Sequence, residues 1–129
     1  MAASARLGIL GGMGPQATLL FYQRVLDRTD AARDQAHIPT LIWSDTAIPD
    51  RTAAILAGET EPVFQALLAG ARLLEREGCT VLAIPCNTSH CFAGRLQGEL
   101  GIPLLNMVRL TAGAMARRGC RRVGILATD

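Results

Sequence analysis

Short apolar runs alternate with longer helix-patterned segments along almost the whole chain, and this alternation most limits what it can fold into. Arg6–Gly11 (RLGILG), Pro39–Ser44 (PTLIWS), Thr80–Pro85 (TVLAIP), Pro103–Asn106 (PLLN) and Arg122–Thr128 (RVGILAT) read as strands, being apolar, brief and bounded by turn residues. Between them, helices are expected from Pro15 to about Asp30, over Ala53–Leu56, Pro62–Glu77, Asn87–Leu100 and Val108–Arg118. In Pro62–Glu77 the positions Val63, Leu67, Gly70, Leu73 and Leu74 share one face, and Gly78 offers a stop. Strands and helices in this order form βαβ units. The expected fold is therefore α/β, a parallel sheet of about four strands flanked by helices.

Composition agrees with a packed core. Of 129 residues, 50% are hydrophobic and 19% are charged, enough for one ordinary domain. The net charge of +2 is too small to point to nucleic acid or an anionic membrane surface. All 13 basic residues are arginine, so no lysine is present to form a Schiff base with pyridoxal phosphate or to serve a P-loop. The start, MAASARL, lacks the basic and apolar regions of a secretory signal, and no run approaches a membrane span. A cytoplasmic protein with reduced thiols is expected.

Leu7–Gly11 (LGILG) is echoed by Val123–Ala127 (VGILA), with Gly8 and Gly124 lying 116 positions apart. The echo suggests a duplicated architecture. Residues 1–106 would form the first domain, and residues 107–129 a connecting helix and the first strand of a second, incomplete one. Chance recurrence of such strands in parallel sheets is the alternative.

Three places carry candidate chemistry. Gly12–Ala17 (GMGPQA) fits a dinucleotide fingerprint only loosely, because the acid near the end of the next strand, Asp45, comes late and Pro15 interrupts the pattern. A glycine turn before a helix also suits a carboxylate, or needs no ligand. Cys86 in IPCNTSH follows the third strand, where open α/β sheets place ligands and a helix start would favour a thiolate. Asn87 and Thr88 add short polar groups there, or simply cap the helix. A buried, inert thiol is the other reading of Cys86, and Cys91 is expected in the core. Cys86, His90 and Cys91 do not share one helix face, so no metal site is expected. Arg51, in the loop IPDRT, would clamp a carboxylate or else pair with Asp50 or Asp45.

Together LGILGGMGP (7–15), HIP (37–39), IPDRTAAIL (48–56), PCNTSH (85–90), IPLLNM (102–107) and VGILAT (123–128) resemble the aspartate/glutamate racemase family, in order and over nearly the whole chain. The resemblance implies cofactor-independent racemisation of a small dicarboxylic amino acid, aspartate or glutamate, between two pseudo-symmetric α/β domains that each supply a cysteine. On that basis Cys86 is the catalytic acid/base of the first domain. Asn87 and Thr88 hold the α-carboxylate, Met13 and Gly14 line the pocket, and Arg51 binds the side-chain carboxylate. A second cysteine at the same offset would fall at ~200, past the last residue of this sequence. This chain alone is therefore expected to be inactive, or to work as a homodimer with one Cys86 from each copy. The alternatives are a carboxylate-binding or structural fragment, or a single-cysteine relative of the arylmalonate decarboxylase or hydantoin racemase type.

Overall fold

The glycine-flanked run Leu7–Gly11 forms strand β1, and all five of its residues are buried. Residues 4–127 are described in the structure, which is a computed structural model. Strand β1 pairs in parallel on one side with β2 (Thr40–Ser44) and on the other with β3 (Val81–Ala83). Strand β4 (Leu104–Leu105) extends the sheet beyond β3, giving the order β2-β1-β3-β4. The expected α/β class and four-stranded parallel sheet are present.

Side chains of β1 alternate between the two faces of the sheet, as a strand's period of two requires. Leu7 and Ile9, with Ala83, pack against Phe21, Tyr22 and Val25 of α1 (Pro15–Asp27). On the opposite face Leu10, Leu82 and Ile84 meet α3 (Glu61–Arg76), whose Val63, Phe64, Leu67, Leu68, Ala71 and Leu74 are buried. Burying each large aliphatic side chain there contributes roughly 1.5–3 kcal/mol. Between β2 and α3 lies α2 (Arg51–Ala57), capped where the Asp50 carboxylate accepts from the Ala53 N–H at 2.8 Å. Helices α4 (Ala93–Gly98) and α5 (Met107–Arg117) complete the chain order.

Three expectations need correction. The helix drawn over Asn87–Leu100 is a 3-10 turn at Thr88–Phe92 followed by the six-residue α4. The cause is local: His90 N–H bonds Asn87 O, three residues back, at 3.0 Å. The Cys86 carbonyl, which a regular helix would give to that N–H, is taken by the His90 ring instead. Cys91 is exposed rather than in the core, because the tighter turn rotates it outward. Residues 122–127 form no strand, and Thr128 lies outside the described residues. A strand exists only through its ladder, and this segment pairs with neither open edge of the sheet, so Val123, Ile125 and Leu126 are exposed.

Candidate functional site

The carboxyl ends of β1, β2 and β3 bring the candidate residues to one edge of the sheet. Cys86 stands two residues beyond Ile84 and is 9% exposed. Both of its main-chain groups are held. Its N–H donates to Ile84 O at 2.8 Å, and its carbonyl lies 2.7 Å from His90 Nδ1. A carbonyl only accepts, so Nδ1 carries the proton. Nε2 of the same ring is buried and has no partner. Asn87 is exposed and makes no capping bond, so the helix-cap role open to it in the sequence is not used. Thr88 beside it is half-buried.

The glycine loop Gly11–Gly14 is closed by packing. Gly12 has φ +94°, and a Cβ there would run into the main chain of Asp45. A Cβ on Gly11 would strike the Thr18 side chain. Thr18 Oγ1 accepts from the Gly12 N–H at 2.9 Å and donates to Gly14 O at 3.2 Å. Asp45 N–H reaches Gly11 O at 3.1 Å, and the Asp45 carboxylate accepts from Ala47 N–H at 3.0 Å. These contacts account for Gly11 and Gly12 without a dinucleotide. Gly14 is exposed, with Gln16 Oε1 at 3.9 Å the nearest group to where its side chain would be. Met13 is 7% exposed and belongs to the core cluster. Its sulfur accepts the Ser89 hydroxyl at 3.3 Å, so the glycine loop is tied to the Cys86 turn.

Arg51 opens α2, which packs against the Thr88–Phe92 turn. Its Nη1 donates to Pro49 O at 3.1 Å, with Ile48 O more distant at 3.5 Å, and its Nε is buried without a partner. Neither Asp50 nor Asp45 pairs with it; the described ion pairs are Arg24–Asp27, Arg72–Glu99 and Arg95–Glu61. Among the described residues the guanidinium thus has no carboxylate partner; the Pro49 and Ile48 carbonyls hold it at the start of the helix that packs against the Thr88–Phe92 turn.

The other thiols are set apart. Burial pushes the Cys79 thiol up, and Cys79 is 3% exposed in the core. Cys91 is exposed as a residue, yet partial desolvation, ahead of the neighbouring Cys86, raises its thiol. Desolvation acts on the sulfur and exposure is summed over the whole residue, so both descriptions hold. Among the described residues no three His, Cys, Asp or Glu side chains gather closely enough to hold a metal ion. No helix there is long and apolar enough to cross a membrane. An apolar hollow of about 340 Å³ lies next to the Cys86 turn, lined by Phe21, Ile84, Pro85, Leu105, Met107 and Leu110, but Cys86 does not line it.

Sequence reasoning located Cys86, Asn87, Thr88 and Arg51 at this edge. It missed Thr18 and Ser89 as the residues that lock the loops. Thr18, four residues after Gly14 at a helix start, was the available signal; nothing in the sequence marked Ser89 as the partner of Met13.

Comparison with known proteins bears on family and fold. The family profile described as Asp/Glu/hydantoin racemase matches residues 10–129. The broad specificity amino-acid racemase RacX of Bacillus subtilis (strain 168) is 32% identical over 109 residues, which cover 81% of this chain and 47% of RacX. The aspartate racemase of Picrophilus torridus superposes with a TM-score of 0.79 at 34% identity, over 90% of this chain and 49% of that one. An aspartate racemase homologue from Pyrococcus horikoshii OT3 shares the fold, with a TM-score of 0.74 at 23% identity over 88% of this chain and 50% of its own. The chain thus spans about half the length of these relatives. With the profile matched over nearly its whole length, the chain belongs to the Asp/Glu/hydantoin racemase family.

Proposed function

We propose that this chain provides one side of a racemase site for an acidic amino acid, aspartate first and glutamate second, with Cys86 as the acid/base at the α-carbon. One observation carries the reading. Arg51, which has no carboxylate partner among the described residues, opens the helix that packs against the Thr88–Phe92 turn just after Cys86. An arginine so placed suits a second carboxylate, the group that separates aspartate and glutamate from other amino acids.

The chemistry follows from the residue types. The Cys86 thiolate takes the α-proton and becomes a thiol. The C–H electron pair passes into the substrate α-carboxylate, and an acid on the opposite face returns a proton to the carbon. Asn87 and Thr88 donate to the α-carboxylate. Gly14 lines the pocket with its main chain, and Met13 lines and backs it. The route we propose uses no cofactor, and the lack of a lysine in this sequence to hold pyridoxal phosphate as a Schiff base supports it. The four free cysteines suit a reducing cytoplasm. The opposite-face acid comes from outside the first domain, either from a second domain or from the Cys86 of a second copy. A single copy of the chain then exchanges a proton without completing racemisation.

The test is deuterium incorporation at the α-carbon of L- and D-aspartate in D₂O, with wild type and Cys86→Ala. Exchange of one isomer, abolished in the variant, is expected. Absence of exchange with both isomers in a folded chain would defeat the catalytic reading. If aspartate then still raised the melting temperature, and Arg51→Ala removed the rise, a carboxylate-binding role would take its place. Exchange on a hydantoin but on neither amino acid would shift the substrate class.

A further inference from the structure

A thiol three residues beyond the end of a three-residue strand must be held in place by something other than the sheet ladder. We propose that His90 is the positioning residue of the Cys86 turn, acting through the hydrogen bond from its ring to the Cys86 carbonyl. This extends the proposed proton transfer and rests on it only for its kinetic consequence.

The bond is short, 2.7 Å, and buried, with both residues 9% exposed. It substitutes for a main-chain bond that is missing. The His90 N–H turns to Asn87 O, so without the ring the Cys86 carbonyl would be a buried acceptor left unpaired. With it, Asn87 and Thr88 stay in a tight 3-10 turn, exposed and half-exposed at the sheet edge. The other ring nitrogen argues against simple space-filling. Nε2 is buried and unpartnered, a penalty that a leucine of similar bulk would not incur. The imidazole is kept for the bond its Nδ1 makes. The ring contacts the carbonyl and not the thiol, so it sets where Sγ sits and takes no proton from it.

The experiment separates the bond from the bulk. Asparagine carries an N–H at the position of Nδ1; glutamine carries it one atom further out; leucine carries none. His90→Asn, His90→Gln and His90→Leu are compared at temperatures equally far below their melting points. The first readout is the rate at which iodoacetamide alkylates Cys86, followed by mass spectrometry of its peptide. Wild type and His90→Asn should react alike, while His90→Gln and His90→Leu should react about tenfold faster as the turn releases a thiol that is now nearly covered. The second readout is α-deuterium exchange, where misplacing the thiol should cost His90→Gln and His90→Leu on the order of 100-fold in rate, with little change in half-saturation. If the asparagine and glutamine variants alkylate at the same rate, fast or slow, the positioning role is refuted. If alkylation separates them while no protein, wild type included, exchanges deuterium, the positioning role stands and the racemase reading fails.

Discussion

The Ser89 hydroxyl donates to the Met13 sulfur at 3.3 Å, joining two loops 76 residues apart in the chain. Ser89 has no exposed surface and Met13 only 7%. The two loops that would face a substrate are thus held by one buried contact.

Removing the acceptor of that contact alone should cost more than removing both partners. Met13→Leu keeps the volume but leaves the Ser89 hydroxyl buried and unpaired, at about 1–3 kcal/mol. Ser89→Ala removes the donor and should cost under about 1 kcal/mol. Adding Ser89→Ala to Met13→Leu should recover part of the loss. Urea unfolding of the four proteins measures this; strictly additive losses would mean the contact is only packing.

The glycines of the chain should divide by what lies around them. Gly12→Ala should destabilise by at least about 2 kcal/mol, since it combines a positive φ with a collision against the Asp45 main chain. Gly94, inside α4, faces open space, and Gly94→Ala should stabilise by about 0.5–1 kcal/mol. Thermal unfolding should move in opposite directions for the two variants.

Glu61 predicts an acid-dependent step. Its carboxylate accepts from Arg95 at 2.7 and 3.0 Å and from Gln65 at 2.8 Å, and these bonds lower its pKa from 4.5 to about 2, the Arg95 bond most. A depressed carboxylate contributes stability that is full above the unfolded value of 4.5 and lost as pH falls toward 2. Both side chains are more than half exposed, so the contribution is screened and small. Denaturant midpoints of wild type and Glu61→Gln should therefore differ near neutrality and converge on acidification through that window. A gap independent of pH would assign the effect to packing, where Arg95 also stacks 3.6 Å over the Phe64 ring.

Thiol alkylation should rank the three cysteines away from the candidate site. Cys120 is exposed and should react first. Cys91 follows, because partial desolvation raises its thiol and thins the thiolate. Cys79, in the core with its thiol pushed up by burial, should react last. Peptide mapping after timed iodoacetamide treatment at neutral pH gives the order; early modification of Cys79 would mean that β3 opens locally.

Much of this architecture was legible because the strands are marked twice, by apolar runs and by the glycines and prolines beside them. Leu7–Gly11 and the Val63, Leu67, Leu74 face of α3 lie where their periodicities put them. The failures have specific causes. Asn87–Leu100 looked like one helix because no propensity anticipates an imidazole capturing the Cys86 carbonyl. Cys91 turned outward with that change of pitch. Val123–Ala127 matches β1 in pattern, but pattern supplies no pairing partner, and Gly124 lies in open space where Gly8 is pressed against Leu82. The edge position of Cys86, Asn87, Thr88 and Arg51 was legible from strand ends alone, whereas the Ser89–Met13 contact depends on how two distant loops meet.

Helix α5 has eleven residues, and none is buried. A helix of that length, anchored mainly by the Asn106 cap to Arg109 N–H at 3.0 Å, barely holds itself together in water. Its amides should exchange with solvent almost as fast as those of an unstructured peptide, while Ile9 and Leu82 stay protected until the whole sheet opens. A protease given brief access would therefore cut first after Asn106 and leave the sheet standing, a boundary drawn by local melting and not by any linker in the sequence.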